Sequence, residues 1–270
     1  MRRRAPAVPA VVRRLEQAYG KRPWKTWGAP LDELIVTVLS QNTNDRNSDA
    51  AMDRLKAAFP DWNDAADAPL ARIADAVRPA GLHRRKAKHI RAILRTIRLD
   101  RGRIDLGFLR RWPTDRIRAY LRTLPGVGPK TAACVLLFAL RRPVLPVDTH
   151  VHRTTRRLGL IGPRTSAEQA HEVLGKKVPP DLVYAFHVLL IEHGRRTCRA
   201  RRPDCPACAL ARICPSARPM NVADSGAPGS AHPVSRGRKA CPEPSRRNAA
   251  TCARRRRGLD FACNTPATNL

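Results

Sequence analysis

Aromatic side chains, acidic side chains and long apolar runs are all scarce in this chain of 270 residues. Four Trp, three Tyr and five Phe are too few for the extended stacking platform on which single-strand-binding proteins hold their bases. The longest apolar run is about ten residues, roughly half of what a membrane-spanning helix needs, so no transmembrane segment is expected. No run of alternating β-branched residues stands out, which argues against a fold built on amphipathic strands.

Basic residues far outnumber acidic residues in this chain. The chain carries 52 Lys and Arg against 22 Asp and Glu, a formal net charge of +30, and its basic residues are spread along the sequence. A charge of that size favours polyanionic partners, nucleic acid first and an anionic membrane surface second. With 43% hydrophobic residues the chain can build a core, so it is predicted to be globular, with one large or two modest domains.

Periodic apolar positions predict an all-α protein of about nine or ten short helices, joined by connectors that carry Pro or Gly. After Pro215 the sequence is rich in Pro, Ser, Ala and Arg and lacks apolar periodicity, so residues 216–270 are predicted to be a disordered tail. The predicted helices are an N-terminal helix that follows a basic arm, residues 31–40, 48–59, 70–77, 84–99 and 115–124, the stretch after Gly128, and residues 149–160, 166–178 and 182–195.

The segment LPGVGPKTAACVLLFAL, residues 124–140, puts a lysine in an unusual place. Gly128 and Pro129 predict the cap and the first residue of a helix that is otherwise apolar nearly all round. Lys130 therefore stands at the positive end of a helix dipole, at the edge of a core, where a cation is disfavoured. Gly126 and Gly128 can adopt positive φ and expose backbone N–H groups, which suits one phosphate of a DNA strand. Taken alone, this could also be a plain turn with a lysine that snorkels to solvent.

Eight cysteines are present, and four of them cluster near residue 205. The spacing Cys198-x6-Cys205-x2-Cys208-x5-Cys214 lets four thiolates close around one soft metal centre. A zinc ribbon normally uses two CxxC knuckles, and the single one here weakens that alternative. Free thiols are the other alternative. Clustered cysteines indicate a metal centre in a cytoplasmic protein more than the disulfides of a secreted one. The excess of positive charge is expected to associate such a protein with the nucleoid through DNA.

Two segments together are similar to a known family. LPGVGPKTA (124–132) and VDTHVHR (147–153) resemble the helix–hairpin–helix and the Gly/Pro-rich loop with its aspartate in the endonuclease III family of DNA glycosylases. LSQNTNDRN (39–47) and GLHRRKAKHI (81–90) match in kind. The similarity covers about two thirds of the chain.

The resemblance implies a two-domain helix–hairpin–helix DNA glycosylase fold. Residues 28–142 would form a six-helix domain that carries the hairpin, and residues 1–27 and 143–215 an iron–sulfur cluster domain. The implied function is a base-excision-repair DNA glycosylase with AP lyase activity, which removes oxidised pyrimidines from duplex DNA through a lysine Schiff base. The implied partner is double-stranded DNA with damaged bases or abasic sites, bound by a monomer, with no membrane partner.

The resemblance also implies the catalytic residues. Lys130 and Asp148 fall on the catalytic lysine and aspartate of the family. Lys130 would attack the sugar as a neutral amine, so we expect partial burial and nearby cations to lower its pKa. Asp148 can be simply the N-cap of the following helix, and this role is compatible with accepting a proton from Lys130.

The same resemblance assigns a [4Fe–4S] cluster to the four cysteines and DNA contacts to other loops. Leu82 is the implied wedge in the duplex and Gln41 the implied probe of the opposite strand, although both are ordinary loop residues as well. Phosphate contacts are expected from Arg84, Arg85, Lys86 and Lys88 beside the wedge and from Arg199, Arg201 and Arg202 between the first two cysteines, unless these arginines are merely solvated.

Two rival functions remain open at this point. A mismatch thymine or uracil DNA glycosylase would share the fold and differ in the shape of its base pocket. A noncatalytic DNA-binding iron–sulfur protein would use the hairpin without the lysine chemistry.

Overall fold

The computed structural model of the chain describes residues 4–217. These residues form eleven α-helices and no strand, so the all-α prediction is confirmed. The predicted tail beyond residue 217 lies outside the described residues. The helices are α1 (Val8–Tyr19), α2 (Pro30–Leu39), α3 (Asp45–Ala58), α4 (Trp62–Asp67), α5 (Leu70–Ala76), α6 (His83–Arg101), α7 (Thr114–Thr123), α8 (Pro129–Cys134), α9 (Thr149–Arg157), α10 (Ala167–Lys177) and α11 (Val183–Arg196).

Several helices begin where the sequence supplies capping chemistry. The side chain of Asn44 accepts a backbone N–H of the first turn of α3 at 2.9 Å. Ser166 and Gln169 form a reciprocal capping box at the start of α10. Gly128 is the cap of α8 and Pro129 its first residue, as predicted.

Two helical features differ from the sequence expectation. The six-residue helix α4 lies between Pro60 and Pro69 and is too short for an apolar period to reveal it. The helix after Gly128 does not stay regular, because α8 is followed directly by a π-helical segment, Val135–Ala139. Such segments are rare and occur frequently at functional sites.

The core consists of two apolar clusters with α8 between them. The first cluster gathers α2 to α7 and includes Ala132 and Val135. The second gathers α1, α9, α10 and α11 and includes Cys134 and Leu137. Because α8 and its π-helical continuation contribute to both clusters, the first turn of α8 lies at their junction. Among residues 4–217, no helix has the length and apolar character that crossing a membrane requires.

Candidate active site

The hairpin consists of α7, a tight turn and α8. Gly126 in this turn has φ +75°, which residues with a Cβ rarely adopt. Gly128 has an extended backbone, with φ −91° and ψ 179°. The expectation of positive φ therefore holds at Gly126 and is wrong at Gly128, because an N-cap residue takes the β region before its helix begins.

Gly126 is packed closely against α6. A Cβ at this position would lie 2.6 Å from Nδ1 of His89, so a larger residue would displace the ring. From the loop after α2, the side-chain amide of Gln41 donates to the Gly126 carbonyl oxygen at 3.5 Å. The structure thus places the predicted probe residue Gln41 next to the predicted phosphate-binding turn.

The predicted lysine and aspartate lie at the start of two successive helices. Lys130 is in the first turn of α8 and is half-buried. Asp148 is the N-cap of α9, and its Oδ1 accepts the backbone N–H of Val151 at 2.7 Å. The fold brings the two side chains near enough for the charge of Asp148 to raise the pKa of Lys130, although eighteen positions separate them in sequence.

The surroundings of Lys130 are acidic, and this corrects the expectation of nearby cations. The pKa of Lys130 is raised above that of an ordinary lysine, because attraction by Cys134, Asp148 and Glu33 outweighs the opposing effect of burial. Burial also raises the pKa of the Cys134 thiol to about 11 and that of the Glu33 carboxyl to about 8. At neutral pH these two groups are mainly protonated, so their attraction for the Lys130 ammonium group develops fully only at alkaline pH.

Glu33 is a site residue that the sequence did not single out. It lies on α2, which packs against α8, and it is only 5% exposed. Thr37, one turn later, donates its hydroxyl to Glu33 Oε1 at 3.1 Å. The only signal in the sequence was an acidic residue among the apolar positions of LDELIVTVLS, which also fits the polar face of a helix.

His187 of α11 is the second residue that sequence reasoning missed. Its Nδ1 donates to the Pro146 carbonyl oxygen at 2.9 Å, and the residue is 2% exposed. Burial lowers the pKa of His187 to about 4, against the attraction of Asp148. The imidazole is therefore neutral at physiological pH and fixes the loop that precedes Asp148.

The predicted wedge residue Leu82 stands on an exposed turn, whereas the predicted probe residue Gln41 is half-buried. Leu82 is 53% exposed and has φ +46° where it caps α6, so a large apolar side chain is held out toward solvent in a left-handed conformation. Arg84, Arg85 and Lys88 are exposed on the same helix, as predicted for phosphate contacts. The prediction is wrong for Lys86, which points inward and is 2% exposed.

The four predicted metal ligands line one cavity of about 460 Å³ after α11. No group of three or more His, Cys, Asp or Glu among residues 4–217 is arranged to hold a single metal ion. In a [4Fe–4S] cluster each cysteine binds a different iron. The four cysteine sulfur atoms therefore lie farther apart than the ligand atoms around a single metal ion. A shared cavity lined by four thiols fits that requirement.

Two arginines of α9 hold the loop that contains the first cysteine. Arg157 donates to the sulfur of Cys198 at 3.2 Å and to the carbonyl oxygens of Arg199 and Ala200 at 2.7 and 3.0 Å. Arg153 donates to the Cys198 carbonyl oxygen at 3.1 Å. More than forty residues separate each arginine from the carbonyl groups it contacts on this loop, so spacing could not reveal them. Arg199, Arg201 and Arg202 are all exposed on the loop thus held.

A hairpin of this kind, with a lysine on its second helix and an aspartate at the next helix start, is the arrangement expected of a helix–hairpin–helix DNA glycosylase. Residues 35–180 match the model of the HhH-GPD superfamily of base excision DNA repair proteins. The chain belongs to this superfamily as a base excision repair DNA glycosylase related to endonuclease III.

Individual relatives agree with this assignment. An Arabidopsis thaliana protein named as a DNA glycosylase is 38% identical over 61% of this chain and 56% of its own length. Endonuclease III of Thermotoga maritima is 37% identical over 68% of this chain and 82% of its own. Two solved endonuclease III–DNA complexes, one noncovalent and one a trapped covalent intermediate, each have a TM-score of 0.67 and 29% identity. They cover 78% of this chain and 94% and 95% of their own.

Proposed function

We propose that the protein removes oxidised pyrimidines from duplex DNA and then cleaves the strand as an AP lyase, with Lys130 as the nucleophile. The observation that supports this proposal is the placement of Lys130 and Asp148 together at the junction of the two apolar clusters. A trapped covalent intermediate of endonuclease III with DNA, among the similar structures, is consistent with a covalent route.

The reaction needs one neutral amine at Lys130. Its Nζ attacks C1′ of the damaged nucleotide, and the bond from C1′ to the base breaks as the base leaves with the electron pair and takes up a proton. Opening of the sugar ring then gives a Schiff base between Nζ and C1′. Loss of a proton from C2′ expels the 3′ phosphate by β-elimination, and hydrolysis releases the amine.

Lys130 must lose a proton before it attacks. Only ~1 in 2,500 unperturbed lysines is neutral at pH 7, and the raised pKa of Lys130 makes the neutral fraction smaller still. Lys130 is therefore not activated by a lowered pKa. It transfers a proton to Asp148 before it attacks. The bond of Asp148 to the Val151 N–H fixes the carboxyl group, which passes this proton to the leaving base and, charged again, stabilises the positive charge that develops on the sugar.

Contacts to a duplex would come from several segments. The turn at Gly126 and Gly128 takes one phosphate on its backbone N–H groups. Leu82 fills the space of the extruded nucleotide and Gln41 contacts the opposite strand, with the protein acting as a monomer. The exposed side chains of Arg199, Arg201 and Arg202 contribute further phosphate contacts.

The four cysteines that line one cavity, Cys198, Cys205, Cys208 and Cys214, would hold a [4Fe–4S] cluster. The guanidinium of Arg157, which donates to the Cys198 sulfur, suits the negative charge of cluster sulfurs. Such a cluster would cross-link the four cysteines and fix the arginine-bearing loop against α9.

Borohydride trapping on abasic duplex DNA tests this function. The wild-type protein should become covalently attached, because reduction fixes the Schiff base, and Lys130→Ala should not. Lys176→Ala, an exposed lysine of α10, should trap like wild type. Equal trapping by Lys130→Ala and wild type would overturn the nucleophile assignment.

The substrate class needs a second assay. Duplexes with thymine glycol, a T·G mismatch or uracil should be incubated with the protein side by side. Faster release of thymine glycol is expected, and preferential release of thymine or uracil from the mismatch would replace the oxidised-pyrimidine assignment.

A further inference from the structure

Lys86 is a buried cation that joins two separate segments. It lies in the first turn of α6 and is 2% exposed. Its Nζ donates to the carbonyl oxygens of Leu39 and Ala80, both at 2.7 Å. An ammonium group loses much hydration on burial, so these two short charge-assisted bonds are what makes the position tolerable.

The two acceptors lie immediately before the two duplex-probing residues. Leu39 is the last residue of α2, and Gln41 follows two positions later. Ala80 ends a short 3-10 turn, and Leu82 again follows two positions later. The Lys86 side chain therefore holds the backbone at the start of both probing segments, which are about forty residues apart in sequence.

The turn that carries Leu82 needs such support. Leu82 is not glycine, yet its φ is +46°, and a strained left-handed conformation of this kind persists only where the surrounding structure fixes it. The carbonyl oxygen of Leu82 accepts the backbone N–H of Lys86 at 3.0 Å. Lys86 thus holds the turn with its backbone as well as with its ammonium group.

We propose that Lys86 is a positioning residue that locks the Gln41 segment and the Leu82 turn into one rigid unit for simultaneous insertion into a duplex. The proposal rests on the proposed function, because it takes these two residues as the ones that enter DNA. A fixed offset between them removes the ordering cost that two independent loops would incur on binding. Lys86 itself would make no contact with DNA.

The test compares duplex with single-stranded substrates, because only the duplex must be opened by a wedge. Lys86→Met keeps the aliphatic stem and removes the ammonium group. We expect it to lose about 10- to 100-fold in the rate of borohydride trapping on abasic duplex, with at most a small change on a single-stranded abasic oligonucleotide. The control is Lys88→Met, which changes an exposed neighbour on α6. It should slow trapping on both substrates by a similar factor, because it removes a phosphate contact.

Direct insertion has its own readout. With 2-aminopurine opposite the abasic site, wild-type protein should increase the fluorescence as the base unstacks, and Lys86→Met should lose that increase at saturating protein. Equal losses by Lys86→Met on both substrates, or an undiminished fluorescence change in the folded variant, would overturn the proposal. Absence of trapping by the wild-type protein would instead overturn the proposed chemistry, while the fluorescence still tests Lys86.

A second measurement serves if Lys86→Met does not fold. In an otherwise wild-type chain, Gln41→Ala and Leu82→Ala should each slow trapping on duplex. If the two segments act as one unit, the double variant should lose clearly less than the product of the two single losses. Losses that multiply within error would show two independent loops and contradict the proposal.

Discussion

Asp148 acts on Lys130 with the same carboxylate that caps α9. The Val151 N–H holds Oδ1 at 2.7 Å, and the charge of the group contributes to the raised pKa of Lys130. Capping and proton acceptance need different properties of one side chain, since capping requires only an acceptor oxygen and proton transfer requires a base. A substitution that keeps the oxygen and removes the charge separates the two roles.

Asp148→Asn should lose base excision while it keeps the fold. Asparagine is as good an N-cap as aspartate, so the melting temperature should stay close to that of wild type. Loss of the carboxylate as proton acceptor should slow single-turnover base excision by about 10²- to 10⁴-fold, the usual contribution of one general base. Affinity for an uncleavable duplex, measured in parallel, should not fall. Unchanged excision would leave Asp148 as a cap alone.

Glu33→Gln should change how stability depends on pH. Burial raises the pKa of Glu33 to about 8, so the folded protein keeps a proton that the unfolded chain releases near its ordinary value of 4.5. Wild-type protein therefore loses stability as the pH rises through this window, and the glutamine variant does not. The melting temperature of the variant minus that of wild type should increase by about 3–5 °C per pH unit there.

The control is Glu172→Gln, which alters an exposed glutamate of α10. The difference in melting temperature between Glu172→Gln and wild type should stay constant over the same pH range. A flat difference for Glu33→Gln as well would show that Glu33 ionises in the folded state as readily as in water.

Glu33 should also affect trapping at alkaline pH. Above about pH 8 its carboxylate is charged and raises the pKa of Lys130, which lowers the fraction of neutral amine. Trapping by Glu33→Gln should therefore be several-fold faster than by wild type near pH 9 and equal near pH 6.5. Thr37→Val removes a hydrogen bond that lowers the pKa of Glu33, so it should move the effect to higher pH. A constant ratio of rates at all pH values would remove Glu33 from the site.

Sequence periodicity predicted the long helices because each has one apolar face, and capping residues were recognised in advance at the starts of α8 and α9. It could not predict which polar residues turn inward. Lys86 lies in a run of basic residues that is typical of an exposed helix face. It turns inward because carbonyl oxygens from other segments accept its hydrogen bonds. Glu33 and His187 likewise join Lys130 only through helix packing. These contacts depend on tertiary structure, which local pattern does not encode.

Cys208→Ser should lose the proposed cluster before it loses catalytic activity. The wild-type protein should contain about four irons per chain and show the visible absorbance of an iron–sulfur cluster. The variant should lose both, together with several degrees of melting temperature. Cys134→Ala, which changes the cysteine beside Lys130, should keep its iron. A wild-type protein with one bound zinc and no iron would replace the cluster assignment.

The two glycines of the hairpin turn should respond differently to alanine. Gly126→Ala introduces a Cβ at φ +75° and 2.6 Å from His89 Nδ1, so it should destabilise the fold by about 1–3 kcal/mol. Gly128 has an ordinary φ and open space where its Cβ would lie, so Gly128→Ala should cost less than about 1 kcal/mol of stability.

That open space is where a phosphate would approach the start of α8. Gly128→Ala should therefore weaken duplex binding roughly tenfold, as loss of one charge-assisted hydrogen bond does. The slope of log affinity against log salt should stay nearly unchanged, because the lost contact involves neutral backbone N–H groups and no Lys or Arg charge. Denaturant titration and fluorescence anisotropy on the same preparations separate the two effects. Full duplex affinity in Gly128→Ala would show that the turn takes no phosphate, because an added methyl group there leaves no room for one beside the backbone.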